Sequence, residues 1–268
     1  MRNYGCVMLV GMTPVLVESA GAVRRLILNR PDRLNAVSEE LYRLLLAELR
    51  DADADPGTRA VLLAGAGRAF CVGADLKAHS AGTRTPAERA EYVELAWRAC
   101  QQIQTMGTPV VAAVQGYALG AGAELATSAD FLVIAEDARI GFPEVSIGTF
   151  VGGGVTHRLP RLVGLRRATD LLVLGERCTG AQAAGWGLAH SAVPAEGLPA
   201  AAGELAEALA AKAPLSLARM KAALRADEPL EATLRSEARD LLAVMDTEDW
   251  AEGVAAFAER RSPVFQGR

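Results

Sequence analysis

Apolar residues in the first half of the chain follow two alternating rhythms. Val15–Glu18 and Val23–Asn29 read as short strands around a Ser-Ala-Gly turn, the second almost continuously apolar after Arg25. Asn29-Arg30-Pro31-Asp32 is a turn by composition. From Ser38 the spacing changes. Leu41, Leu44, Leu45 and Leu49 recur at helical intervals behind a capping residue, and Asp55-Pro56-Gly57 ends the run. Val61–Ala64 is a buried-type strand, followed by Gly65-Ala66-Gly67. Thr85-Pro86-Ala87-Glu88 joins a cap, a proline at the first helical position and a glutamate three residues after the cap, which predicts a helix as far as Thr105. Val110–Val114 is the next continuous strand. Gly116–Gly122 reads as a turn, Ala123–Ser128 as a helix, and Phe131–Ala135 and Ala138–Gly141 as strands. The recurring unit is strand, strand, helix.

After Gly153 the pattern becomes almost wholly helical. Leu165–Leu174, Pro199–Ala211, Leu215–Ala226, Leu230–Asp246 and Thr247–Glu259 have helical spacing, with a short strand at Leu188–Val193. No Ser/Pro-rich hinge separates the halves. The chain is expected to divide into an N-terminal extension (1–12), an α/β core (13–198) and a helical C-terminal region (199–268). Ala99 to Ala123 carries no charge and is long enough to span a bilayer. Gln101, Gln102, Gln104, Gln115, Pro109 and its glycines make it buried soluble structure instead.

Composition narrows the classes. The chain has 268 residues, 51% hydrophobic but only 5% aromatic, so its core must be built from Ala, Val, Leu and Ile. A charged fraction of 22% with mean hydropathy +0.17 excludes disorder. The net charge of −4 argues against a nucleic-acid partner held by bulk electrostatics. Cys6, Cys71, Cys100 and Cys178 form no C-x-x-C pair, and His79, His157 and His190 are scattered. This pattern predicts free thiols in a reducing cytoplasm and no metal site.

Candidate chemistry concentrates at three glycine runs: Gly65–Gly67, Gly116–Gly122 and Gly152–Gly154, each expected at a strand end. Glycine there lets a ligand approach the backbone, and free N–H groups at a helix start favour negative charge. The spacing Gly116-x-x-x-Gly120-x-Gly122 also occurs in nucleotide turns of short-chain dehydrogenases. Those need a Tyr-x-x-x-Lys, which no tyrosine here supplies. There is no G-x-S-x-G for a serine hydrolase. Two glutamates stand out. Glu124 follows the second glycine run in an apolar helix start, and Glu144 follows Phe142-Pro143. Neither has a basic neighbour in sequence, and a carboxylate in apolar surroundings is costly unless paired or protonated. Two of them beside glycine turns fit an acid/base pair. Ordinary capping or surface pairing is the alternative for either one alone.

An ordered set of motifs then resembles the enoyl-CoA hydratase/isomerase (crotonase) superfamily. They are Leu28–Ala36, Arg68–Lys77, Thr108–Ala126, Phe142–Gly148, Gly152–Leu159 and Glu252–Phe265. The resemblance runs from Pro14 to the end. It implies an α/β fold with a crotonase-like spiral of ββα repeats, a C-terminal helical trimerisation region, an acyl-CoA substrate, and a homotrimer or dimer of trimers. It implies no metal or redox cofactor; the charge balance and the polar content of 99–123 leave neither a nucleic acid nor a membrane as an expected partner. Some relatives bind RNA through a lysine-rich helix, but Ser38–Arg50 contains no lysine.

By the same resemblance, the N–H groups of Ala74 and Ala121 would form an oxyanion hole for the thioester carbonyl. Ala121 stands where the family usually has glycine, and Val151 where proline is common. Glu124 and Glu144 match the two glutamates of the hydratase subgroup, which implies syn addition of water to a trans-2-enoyl-CoA. A double-bond isomerase is the alternative. Coenzyme A would lie along Arg33, Leu34, Phe70, Cys71, Val72 and Lys77, with Arg260 or Arg261 as a further partner for its phosphates.

Overall fold

A computed structural model describes residues 13–76 and 84–268. The N-terminal extension therefore lies outside the described residues. Six strands form one sheet: β1 (Val15–Ala20), β2 (Val23–Leu28), β3 (Ala60–Gly65), β4 (Val110–Val114), β6 (Phe131–Ala135) and β9 (Ser191–Val193), in that spatial order. The first pair is antiparallel and the others are parallel. Leu26 pairs with Leu63, Leu63 with Ala112, and Ala112 with Leu132. β3, β4 and β6 are covered on both faces, which is why each reads as an unbroken apolar run. A second sheet holds β5 (Tyr117–Leu119), β7 (Arg139–Gly141) and β8 (Arg177–Thr179).

The helices form where the capping chemistry directs. Ser38 accepts a hydrogen bond from Leu41 N at the start of α1 (Glu39–Ala54), which buries Leu41, Tyr42, Leu45 and Leu49. Thr85 and Glu88 close both arms of the capping box on α2 (Pro86–Thr105). α3 (Ala121–Ser128) starts two residues earlier than its sequence indicates, so Ala121 is its first residue.

Four other expectations are corrected. Gly116–Gly122 is not simply a turn, because β5 lies inside it. Gly152–Gly154 does not follow a strand. It comes after a 3-10 turn (Pro143–Ile147) and opens α4 (Val155–Val173). That helix begins ten residues before its pattern becomes readable, because Pro160 and a non-helical Gly164 interrupt the period. Beyond it the chain is not wholly helical until α6, since the strands β8 and β9 intervene on either side of the short α5 (Gly180–Gly185).

The remaining helices are α6 (Leu198–Ala210), α7 (Pro214–Arg225), α8 (Leu230–Met245) and α9 (Glu248–Glu259). α6 lays Leu198, Ala202, Ala206 and Leu209 into the core against the main sheet. On packing, α6 thus lies with the core. α7 is anchored by Lys221, whose Nζ lies 2.8 Å from Asp130 Oδ2 and donates to the carbonyls of Ile103 and Thr108. α8 buries no residue fully and exposes Leu234, Leu241 and Leu242.

Candidate active site

The site is assembled where the segment after β3 crosses the segment after β4. Asn35, fully buried, staples the first. Its Nδ2 donates to Ala66 O and Ala69 O, and its Oδ1 accepts from Arg30 N. Arg30 reaches on to Ala36 O and pairs with Asp75 at 2.9 Å. Gln115 Nε2 donates to Gly65 O at 2.6 Å. The segment 70–75 is thereby held between two neighbours: Cys71 N donates to Tyr117 O, Leu119 N donates to Cys71 O, Val37 N to Gly73 O, and Asp75 N to Val37 O.

Among the described residues this pairing leaves two N–H groups, those of Ala74 and Ala121, free to face a ligand. Ala74 bridges Val37 in parallel register through its neighbours' groups, so its own N–H points the other way. Ala121, as the first residue of α3, has no intrahelical acceptor. The two segments are close, since a Cβ on Gly73 would lie 3.8 Å from Ala121 N. The methyl of Ala121 leaves this backbone donor in place.

Glu124 projects from the first turn of α3 and is 6% exposed. Its Oε1 accepts a 2.6 Å hydrogen bond from Gly152 N. Burial raises its pKa above the ordinary carboxyl range and Glu144 raises it further. The Gly152 N–H and the Arg158 charge oppose the rise. Glu144 stands in the 3-10 turn and is 8% exposed. Burial likewise raises its pKa. Its Oε2 is buried and takes no hydrogen bond from any described residue. Gly120 makes room for this carboxyl: at φ +53, an added Cβ would lie 2.8 Å from Glu144 Oε1. The structure thus brings Ala74, Ala121, Glu124 and Glu144 together from three separate segments: the stretch after β3, α3 and the 3-10 turn.

The other expected residues divide. Leu34, in left-handed backbone, accepts from Val72 N at 3.2 Å, so these two do meet, with Arg33 exposed beside them. Phe70 and Cys71 are completely buried, and their N–H groups are engaged by Gln115 O and Tyr117 O. Neither side chain nor N–H is open to a ligand, because the strand pairing that shapes the site consumes them. Lys77 lies outside the described residues. Arg261 is held by Glu252 and Glu259, which leaves exposed Arg260 as the freer of that pair. Sequence reasoning missed Asn35, Arg30, Gln115 and Arg158. All four sit inside the quoted motifs, but nothing in a motif says which backbone groups a side chain will bind. A cavity of about 600 Å³ on the far side of α3 is lined by Asp130, Arg158, Lys221 and Arg225 and contains neither carboxylate.

The model of the enoyl-CoA hydratase/isomerase family matches residues 18–268. The chain belongs to that family. Among hydratase/isomerase relatives, the 2,3-dehydroadipyl-CoA hydratase of Escherichia coli is 36% identical over 259 residues, covering 96% of this chain and 100% of the relative. The crystal structure of an enoyl-CoA hydratase from Bacillus anthracis superposes with a TM-score of 0.91 at 33% identity, covering 95% of this chain and all of that one. An enoyl-CoA hydratase from Polaromonas superposes at 0.90 with 30% identity, covering 94% and 99%. The hydratase/isomerase spiral accounts for the two sheets and the crossing of segments that builds the site. No helix among the described residues is long and apolar enough to cross a membrane.

Proposed function

We propose that the protein is an enoyl-CoA hydratase, a lyase that reversibly adds water to a trans-2-enoyl-CoA to give a 3-hydroxyacyl-CoA. The observation that carries this reading is the pair of buried glutamates, both with raised pKa, beside two free backbone N–H groups. The thioester oxygen accepts from Ala74 N and Ala121 N, so charge moving onto it in the enolate is stabilised where it develops. Glu124 carries the influences that favour ionisation, the Gly152 N–H and the Arg158 charge, and acts as base. It takes a proton from the water whose oxygen bonds to C3. The C2–C3 π electrons pass into the enolate. Glu144, with an unpartnered buried oxygen, is the protonated member and delivers its proton to C2. One O–H bond is broken, one C–O and one C–H bond form, and proton exchange with solvent resets the pair. All the groups needed are backbone or carboxyl, so the scheme calls for no added cofactor.

Coenzyme A lies along Arg33, Leu34 and Val72, with Lys77 and Arg260 as cationic partners for its phosphates. The C-terminal helices join copies into a trimer or a dimer of trimers. Exposed Leu234, Leu241 and Leu242 on α8 and Phe257 on α9 support this. Loss of the conjugated thioester absorbance of crotonyl-CoA measures hydration directly. Wild-type turnover that disappears in Glu124→Gln and in Glu144→Gln supports the scheme. Absent hydration across a panel of enoyl chain lengths overturns it. Light scattering of the eluting protein tests the assembly.

A further inference from the structure

Arg158 enters the scheme above only through its charge, yet it is the one cation built into the wall behind Glu124 among the described residues. It lies one turn into α4 and reaches back toward the loop that opens the helix. Nη1 donates to Gly153 O at 3.0 Å. Nη2 donates to Thr127 Oγ1 at 3.0 Å and to Glu124 O at 3.4 Å. Thr127 in turn donates to Ala123 O at 2.7 Å. One guanidinium therefore ties the glycine loop to the helix that carries Glu124.

The fit at this joint is close. Gly153 has φ +59, and an added Cβ would lie 2.8 Å from Cys100 Sγ and 3.2 Å from Glu124 Cβ. The loop backbone thus rests on the glutamate side chain itself. The residue before it, Gly152, supplies the N–H that holds Glu124 Oε1. A planar fork suits this task better than an ammonium, since it binds acceptors on two elements at fixed angles. Nε of Arg158 is buried with no partner among the described residues, and burial lowers the pKa of the group. A desolvated cation is retained here at a cost.

We infer that Arg158 is a positioning residue for Glu124: by clamping Gly153 O to α3 it holds the Gly152 N–H on Oε1 and so fixes the orientation of the base. This rests on the hydratase reading for what the base does, but not for where it is held. The charged and titratable groups facing Glu124 are Glu144 from the 3-10 turn, Arg158 from α4, Cys100 and Tyr92 from α2, Tyr42 from α1, and Cys71 from the segment after β3. Arg225 of α7 faces Arg158 from behind. Arg158 is the one cation among those facing Glu124, so its loss favours the protonated base.

The test uses the full-length protein with Arg158→Gln and Arg158→Lys. Arg158→Gln should lower kcat about ten- to a hundredfold, as expected for a misplaced catalytic group, leave KM near wild type, and move the acid limb of the kcat profile to higher pH. Arg158→Lys keeps the charge but loses the fork, so kcat should fall while the acid limb stays near its wild-type position. Thr127→Val removes one acceptor without removing the cation. If Arg158→Gln does not fold, Thr127→Val carries the test and should lower kcat with KM unchanged. A purely structural Arg158 predicts lower unfolding midpoints with unchanged kcat and pH profile in every variant that folds, and that result overturns the inference. Titration of the Glu124 carboxyl by 13C NMR separates the two readings. If the wild type hydrates no enoyl-CoA but Arg158→Gln still raises the Glu124 titration, the hydratase reading fails and the positioning role stands. If hydration is present and neither kcat nor the titration moves, the positioning role alone fails.

Discussion

Glu124 and Glu144 are the same side chain in two differently built halves of one pocket. The Glu124 half is crowded with donors. It has a helix start, the Gly152 N–H on Oε1, and the Arg158 charge behind it. The Glu144 half offers a 3-10 turn, a glycine that stays out of the way, and no donor among the described residues for Oε2. Burial raises both pKa values, but only at Glu124 do a neighbour's N–H and a cation oppose it. The difference shows how a fold assigns acid and base roles to identical groups: through what surrounds them, not through what they are.

The largest expected effect comes from neutralising either carboxyl. Glu124→Gln and Glu144→Gln should each reduce kcat for hydration by about 10²–10⁴. Glutamine keeps shape and volume, so circular dichroism and assembly should be unchanged. If one variant keeps near-wild-type hydration, the two halves do not share the work, and a single-carboxylate reaction such as isomerisation becomes the better reading. The pH dependence sharpens the same comparison. Activity needs Glu124 ionised and Glu144 protonated. With both pKa values raised, the rising limb of the kcat/KM profile should lie above the range of an ordinary carboxyl, about 4.3 for glutamate. The limbs belong to the pair as a unit. A rising limb at or below that value sinks the buried-pair account.

A third effect is smaller and separates the halves by their glycines. Gly120→Ala puts a Cβ 2.8 Å from Glu144 Oε1 in backbone with φ +53. The carboxyl is the movable end of its side chain, so it shifts and activity is lost before the fold is, with a stability loss of about 1–3 kcal/mol. Gly152→Ala brings a Cβ only to 3.3 Å from Glu124 Oε2. It should cost less in both kcat and denaturation midpoint. Equal losses in the two variants would mean that the pocket is no tighter on the Glu144 side.

Much of this comparison was legible in the sequence, and the physical reasons for success and failure are specific. β3, β4 and β6 are buried on both faces, so each writes an unbroken apolar run. The Thr85–Glu88 capping box is local chemistry and appears as expected. Glu124 and Glu144 were conspicuous because an acid amid apolar residues violates the local pattern. What failed depends on distant partners. β5 and β8 have three residues each, too short to carry a period. Buried Lys221 looks like any helix lysine until Asp130 and two carbonyls arrive from elsewhere. Phe70 and Cys71 looked open to a ligand because the motif says nothing of the β5 pairing that consumes their N–H groups. Arg158 is one of many arginines in a chain with only three lysines, and only its hydrogen bonds set it apart.

The smallest effect is on stability and has a definite sign. Glu144 has a folded-state pKa raised by burial. Between its unfolded value, about 4.3, and that raised value, the folded chain binds more protons than the unfolded one. Stability therefore falls as pH rises through this window, and above it the full loss persists. Glu144→Gln removes the titration. The variant should match wild type near pH 4 and gain on it as pH increases, reaching its full advantage above the folded pKa. The gain is limited, because the new amide nitrogen replaces an oxygen that had no hydrogen-bond partner and remains poorly satisfied itself. In a chain of this size each kcal/mol moves the melting temperature by about 2–4 °C, so paired melts at pH 4 and pH 8 resolve it. The same substitution at Glu124 should give a smaller gain, since Gly152 N–H and Arg158 already favour the charge that glutamine removes. A larger gain at Glu124 than at Glu144 would reverse the ranking of the two halves and, with it, the assignment of base and acid.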